Sequence, residues 1–139
     1  MVVPPEIIRT VECLSQNSAL NVNALSQHAG IAAFDATEEP ETVKTRYAAN
    51  RDLLLRRLPE IGLAEFHPAD GTFYIYTDVS RFTDERMSFA RALLEQAGVS
   101  VAPGVDFDSE RGAGHIRLSV AGNMGVVVEG IERIGRWLR

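Results

Sequence analysis

The run at residues 99–121, V-S-V-A-P-G-V-D-F-D-S-E-R-G-A-G-H-I-R-L-S-V-A, constrains the fold more than any other part of the chain. Its end alternates: Ile116, Leu118 and Val120 fall on one face, His115, Arg117 and Ser119 on the other. That period of two is the pattern of a half-buried strand. Pro103-Gly104 marks a turn, and Gly112-Ala113-Gly114 is a link too short and too flanked by charge to serve as a phosphate loop. Arg117 is the odd residue of the strand. Its planar fork stays charged at any working pH and is best satisfied by a carboxylate. That carboxylate belongs either to a local acid, Asp106 or Asp108, or to a ligand.

The residues before this run divide into a helical part and a part of mixed character. Pro4-Pro5-Glu6 opens a helix, with proline tolerated in the first turn and the acid suited to a helix N-terminus. Ile7, Ile8, Val11 and Leu14 form its stripe, and it is expected to end near Gln16-Asn17. A second helix, expected over 24–36, is rich in small residues. T-E-E-P-E then starts a third, over 39–58, with Val43, Tyr47, Leu54 and Leu58 on one side, and Pro59 and Gly62 ending it.

After Gly62 the pattern changes to strands. A short one is expected over 63–67, and G-T-F-Y-I-Y-T-D-V at 71–79 alternates with β-branched and aromatic enrichment. Thr83-Asp84-Glu85 is expected to cap a helix over 85–97, with Met87, Ala90, Leu93, Leu94 and Ala97 inward and Gly98 as its stop. Strands follow over 99–102 and 115–121. Asn123 caps a last helix carrying Met124, Val127, Val128, Ile131, Ile134 and Leu138 at helical spacing. From residue 39 the order is α-β-β-α-β-β-α. It predicts an α+β fold: a small, mostly antiparallel sheet with helices packed on one face, preceded by two helices.

Composition excludes several classes. The 139 residues carry a formal net charge of −5, the wrong sign for a nucleic-acid binder. Cys13 is the single cysteine, so no internal disulfide forms, which suits a reducing compartment. M-V-V-P-P-E lacks the cationic and apolar regions of a signal peptide, and the longest aliphatic run, Val126-Val127-Val128, is far too short to span a bilayer. A cytoplasmic protein without membrane partners is the expectation. His28, His67 and His115 lie far apart in sequence without metal-ligand spacing, so no metal site is expected. Cys13 is expected to be a buried helix residue, and Tyr74 and Tyr76 to pack on the sheet's second face.

In this order the motifs resemble the C-terminal third of the class I/II, fold-type I aminotransferases, which depend on pyridoxal 5'-phosphate. S-Q-H-A-G-I-A-A (26–33), R-Y-A-A-N-R-D-L-L (46–54), A-D-G-T-F-Y (69–74), L-L-E-Q-A-G-V-S-V-A-P-G-V-D-F (93–107) and H-I-R-L-S-V-A (115–121) carry the resemblance, which covers nearly the whole chain. It implies that residues 1–37 are a remnant of the large cofactor domain and that 38–139 form the small C-terminal domain. It implies too that Arg117 binds the substrate's α-carboxylate, with Gly71, Phe73 and Gly104 shaping the same cleft. The parent enzyme would move an amino group between an α-amino acid and an α-keto acid, as a homo-oligomer.

Three departures accompany the resemblance. Asp108 stands where glycine is common. Gly125, Gly130 and Gly135 are expected to weaken the last helix by roughly 1 kcal/mol each. The Schiff-base lysine is missing: all 14 basic side chains except Lys44 are arginine, and Lys44 lies on the third predicted helix. No catalytic residue, no cofactor bound to this chain alone, and no transamination by it are therefore expected. The missing N-terminal cofactor domain is the implied partner. The rival expectation is a stand-alone α+β module that binds small carboxylates or a protein.

Overall fold

The computed structural model describes residues 3–19, 22–67, 69–83 and 88–139. The chain divides into two units, residues 1–41 and 42–139. In the first, α1 (Pro5–Ser18) begins with proline in its first turn, where a missing amide hydrogen costs nothing. α2 (Ala24–Ala33) is capped by Asn23, whose side chain accepts the Leu25 amide at 2.8 Å. It is shorter than the sequence predicts: the Phe34, Asp35 and Ala36 amides turn to the carbonyls of Ile31, Ala32 and Ala33, three residues back, and no further helical turn forms. Neither helix has a buried residue. Ile7, Ile8, Leu14, Leu25, Ile31 and Phe34 are exposed. Cys13 is exposed as well, which corrects the expectation that it is buried.

α3 (Glu38–Glu60) is led by three acids in its first turn, where they favour the helix dipole, and it takes in Pro59 before ending. In the second unit, β1 (Tyr74–Asp78), β2 (Ala102–Pro103) and β3 (His115–Ser119) make one antiparallel sheet in the order β1-β3-β2. The register sets Tyr74 opposite Ser119, Tyr76 opposite Arg117 and Asp78 opposite His115. Ile75, Thr77, Val79, Ile116, Leu118 and Val120 are buried. With them lie Leu54 and Leu58 of α3, Leu63, Phe89 and Leu93, and Ile131 and Ile134 of α5 (Met124–Trp137). Each fully buried leucine or isoleucine contributes roughly 1.5–3 kcal/mol. The predicted α+β class is the one found.

Several predicted elements differ in extent. Residues 63–67 form no strand, only a single bridge of Phe66 to Thr77, flanked by the His67 amide on the Tyr76 carbonyl and the Asp78 amide on the Glu65 carbonyl. β1 starts at Tyr74 rather than 71, since Thr72 takes a positive φ of 64°, a conformation that costs a β-branched residue about 1–3 kcal/mol. The strand expected over 99–102 pairs only at Ala102 and Pro103, with proline on the edge strand where it is tolerated. The helix expected over 85–97 comprises α4 (Ser88–Ala92) and a wider π-type turn over Leu93–Ala97. Its expected cap and Met87 involve residues 84–87, outside the described residues. Gly98 ends it as predicted, at φ 65° with its amide on the Leu93 and Leu94 carbonyls. Asn123 caps α5 as predicted, and Met124, the first of the residues at helical spacing, is exposed.

Two glycines of α5 serve different ends. A Cβ on Gly135 would sit 2.6 Å from Ile61 Cγ2, so this glycine lets α5 approach the chain after α3. A Cβ on Gly130 would meet nothing within 4 Å. Gly130→Ala is therefore expected to stabilise the chain by about 0.5–1 kcal/mol through helix propensity alone, read as a higher urea midpoint at unchanged slope.

Candidate functional site

The sheet face away from the core presents Tyr74, Tyr76 and Asp78 from β1 and His115 and Arg117 from β3. Arg117 is half-buried, and its guanidinium carbon lies 3.9 Å from the Tyr74 ring centre and 3.7 Å from that of Phe107. The Tyr74 ring packs in turn on Phe73, centroid to centroid 4.3 Å, and Phe73 on Tyr47 of α3 at 6.3 Å. Among the described residues no carboxylate pairs with Arg117. Asp108, one of the two local candidates, accepts the Glu110 and Arg111 amides at 3.0 and 2.9 Å and faces the Arg111 guanidinium. Those amide bonds hold the Asp108 carboxyl below its ordinary pKa.

Beside this clamp, the rings of His67, Tyr76 and His115 come together. Tyr76 lies 4.7 Å from His115 at 9° between planes and 5.8 Å from His67, and the two histidines are 5.9 Å apart. His67 and His115, far apart in sequence, are thus neighbours in the fold. Two contacts invisible in the linear spacing bring them together: the His67 amide bonds the Tyr76 carbonyl, and Asp78 faces His115 across the ladder. No cluster of three or more His, Cys, Asp or Glu able to hold a metal exists among the described residues. Burial pushes the Tyr76 phenol above its ordinary pKa and the negative charge of Asp108 adds to this. Among the described residues its buried Oη has no hydrogen-bond partner. Burial pushes the Asp78 carboxyl up too, but bonds from the Ser80 hydroxyl and amide, with the nearby His115, outweigh it and leave Asp78 below its usual range. An acid with a depressed folded pKa stabilises the fold above its unfolded value, and that contribution is lost as the pH falls through the folded one.

Of the residues singled out from sequence, three meet around this face. Phe73 backs Tyr74. Gly104 is buried under Tyr76: a Cβ there would lie 2.5 Å from Tyr76 Oη and 2.5 Å from the Gly112 carbonyl. Gly71 is exposed with open space around it and touches none of these groups. Phe107 and Tyr74 were not singled out as contacts of Arg117. The available signal for Phe107 was an aromatic directly before a turn of acids and glycines. A separate cavity of about 400 Å³, lined by Leu54, Val101, Val127 and Ile131 together with Glu129 and Arg133, contains none of Tyr74, Phe107 or Arg117.

The three-stranded antiparallel sheet with helices on one face is the arrangement expected from the order of elements. The chain belongs to the aminotransferase class I and II family, whose model matches residues 1–134. It is 44% identical to the valine–pyruvate aminotransferase of Mycobacterium tuberculosis, over 99% of this chain and 36% of that protein. It is 34% identical to an aspartate/prephenate aminotransferase of Thermus thermophilus, over 97% and 35% respectively. A solved aminotransferase from M. tuberculosis superposes with a TM-score of 0.90 at 44% identity, covering 98% of this chain and 36% of that one. The chain thus spans about a third of the length of these relatives.

Family membership implies pyridoxal 5'-phosphate in the parent enzyme. The residues present here do not fit that group. Lys44, the single lysine, is exposed on α3, without the enclosure that activates a Schiff-base amine. No helix among the described residues is long and apolar enough to cross a membrane.

Proposed function

We propose that this chain is the C-terminal portion of an aminotransferase that moves an amino group between an α-amino acid and an α-keto acid, and that Arg117 receives the substrate's α-carboxylate. The observation that carries the reading is a half-buried guanidinium, flanked by Phe107 and Tyr74, with no carboxylate of its own among the described residues. Guanidinium and carboxylate pair through two parallel hydrogen bonds, which fix the orientation of a bound amino acid as well as its position. Phe73 and Gly104 shape the same face through Tyr74 and Tyr76, and Gly71 lies on the segment leading into it.

In this reading residues 1–37 close the large cofactor domain, and 38–139 form the small domain that brings the arginine to it. The cofactor is held by that large domain, which is the partner this chain requires. The parent is a cytoplasmic homo-oligomer, and the 139-residue chain alone holds no cofactor and performs no transamination.

The test is carboxylate binding by the chain, followed by NMR with L-alanine as probe. Binding in the millimolar range is expected, weakened at least tenfold by Arg117→Ala, as the loss of a charge-assisted pair requires. Equal binding by the variant would refute the assignment. Micromolar binding by the chain alone would instead favour the stand-alone carboxylate-binding module.

A further inference from the structure

Phe107 is 53% exposed, and its ring stands 3.7 Å from a guanidinium that already has Tyr74 at 3.9 Å. Among the described residues the two rings make no contact with each other, although both lie within 4 Å of one carbon. Rings that close to a common atom and not touching must stand on opposite faces of the guanidinium plane. Both faces are then covered, and only the N–H edge is open to a ligand.

We propose that Phe107 and Tyr74 are positioning residues that hold the Arg117 guanidinium plane and make it select planar carboxylates over tetrahedral anions. The inference deepens the reading of Arg117 as a carboxylate receptor and rests on it. A carboxylate meets the guanidinium edge with all its atoms in the same plane, so it enters the slot between the rings without displacing either. A phosphate that presents two oxygens to the same edge carries its other two above and below that plane, against the rings. Tyr74 is the fixed jaw, braced by Phe73 and through it by Tyr47 of α3. Phe107 is the outer jaw, carried by the short 3₁₀ turn Gly104–Asp106 that ends on the Phe107 amide bonded to the Gly104 carbonyl. The cation–π attraction of two ring faces keeps this half-exposed phenylalanine in place.

The experiment is NMR on the full 139-residue chain with 15N-labelled arginine. In the ligand-free protein, the Arg117 Nε–Hε proton is expected to be shifted upfield by the ring currents, and Phe107→Ala to move it downfield. In titrations with acetate and with inorganic phosphate, the wild-type chain is expected to prefer acetate. Phe107→Ala is expected to weaken acetate about fivefold and to erase the preference. Phe107→Leu keeps the apolar bulk without the ring and is expected to behave as Phe107→Ala, while Phe107→Tyr restores the wild-type values. A Hε resonance or an acetate-to-phosphate ratio that stays unchanged in Phe107→Leu overturns the proposal. Arg117→Ala separates the two levels. If it abolishes acetate binding while the Phe107 variants change nothing, the clamp fails and the receptor stands; if it leaves acetate binding intact, the receptor itself fails.

Discussion

Gly112→Ala is expected to lower the stability of the chain by about 3 kcal/mol, at the upper end of what overpacking costs. A Cβ on Gly112 would fall inside contact distance of the Gly104 carbonyl oxygen and carbon and lie 2.7 Å from the Val105 amide nitrogen. All three are backbone atoms, which cannot rotate away as a side-chain terminus does. Nor is the Gly104 carbonyl free to move, since it accepts the Phe107 and Asp108 amides at 2.9 and 3.0 Å. Relieving the clash therefore means unwinding the turn that carries Phe107. Against a total stability of about 5–15 kcal/mol for a domain, the loss is severe. Urea unfolding followed by far-UV circular dichroism measures it, with Gly130→Ala as the comparator of opposite sign. A midpoint within error of wild type would mean that the two turns are not locked together as described.

The same pair of glycines marks the boundary between what the sequence discloses and what it conceals. Period-two alternation identified the buried face of β3, because a side chain's face in a strand depends only on its own position parity. The Asn123 cap and the Gly98 stop were equally local and equally readable. The ring clamp was not. Phe107 reaches Arg117 only because Gly104 and Gly112 allow two backbone turns to touch, a contact between segments that no periodicity encodes. The meeting of His67 with His115 depends on ladder register, which pairs Asp78 with His115 across 37 positions of chain. The strand expected over 63–67 failed for the complementary reason: its residues were suitable, but their pairing with β1 stops at the single Phe66–Thr77 bridge. At the candidate site, Arg117 was legible as a mid-strand arginine in need of a carboxylate, with Asp106 and Asp108 as its local candidates. The two rings that organise it were not.

Asn50 was also overlooked, and its replacement by aspartate is expected to have an effect as large as that of Gly112→Ala. It lies between Tyr47 and Leu54 on the inward stripe of α3, and the break in apolar character there was the signal for it. The side chain is 0% exposed. Its Nδ2 donates to the carbonyls of Val120 at 2.9 Å and Gly122 at 3.1 Å, tying α3 to the chain just beyond the strand that carries Arg117. Asn50→Ala removes these bonds and leaves two acceptors unsatisfied, for a loss of about 2 kcal/mol. Asn50→Asp does more, because it turns a carboxylate toward two carbonyl oxygens in a buried place, and about 3–5 kcal/mol is expected to be lost at pH 7. Burial and the facing carbonyls both favour the neutral acid, so the folded pKa of Asp at this position lies above its unfolded value of about 3.9. A group raised in this way binds its proton more tightly in the folded state. The deficit relative to wild type is then smallest below about pH 4 and grows as the pH rises through the folded pKa. Urea unfolding of wild type, Asn50→Ala and Asn50→Asp at pH 4 and pH 7 resolves the two contributions. The alanine variant should trail wild type by the same amount at both values, and the aspartate variant should fall further behind at pH 7. An Asn50→Asp deficit equal at the two pH values would mean that water reaches this side chain, and that α3 is not fastened to the Arg117 strand through a dry contact.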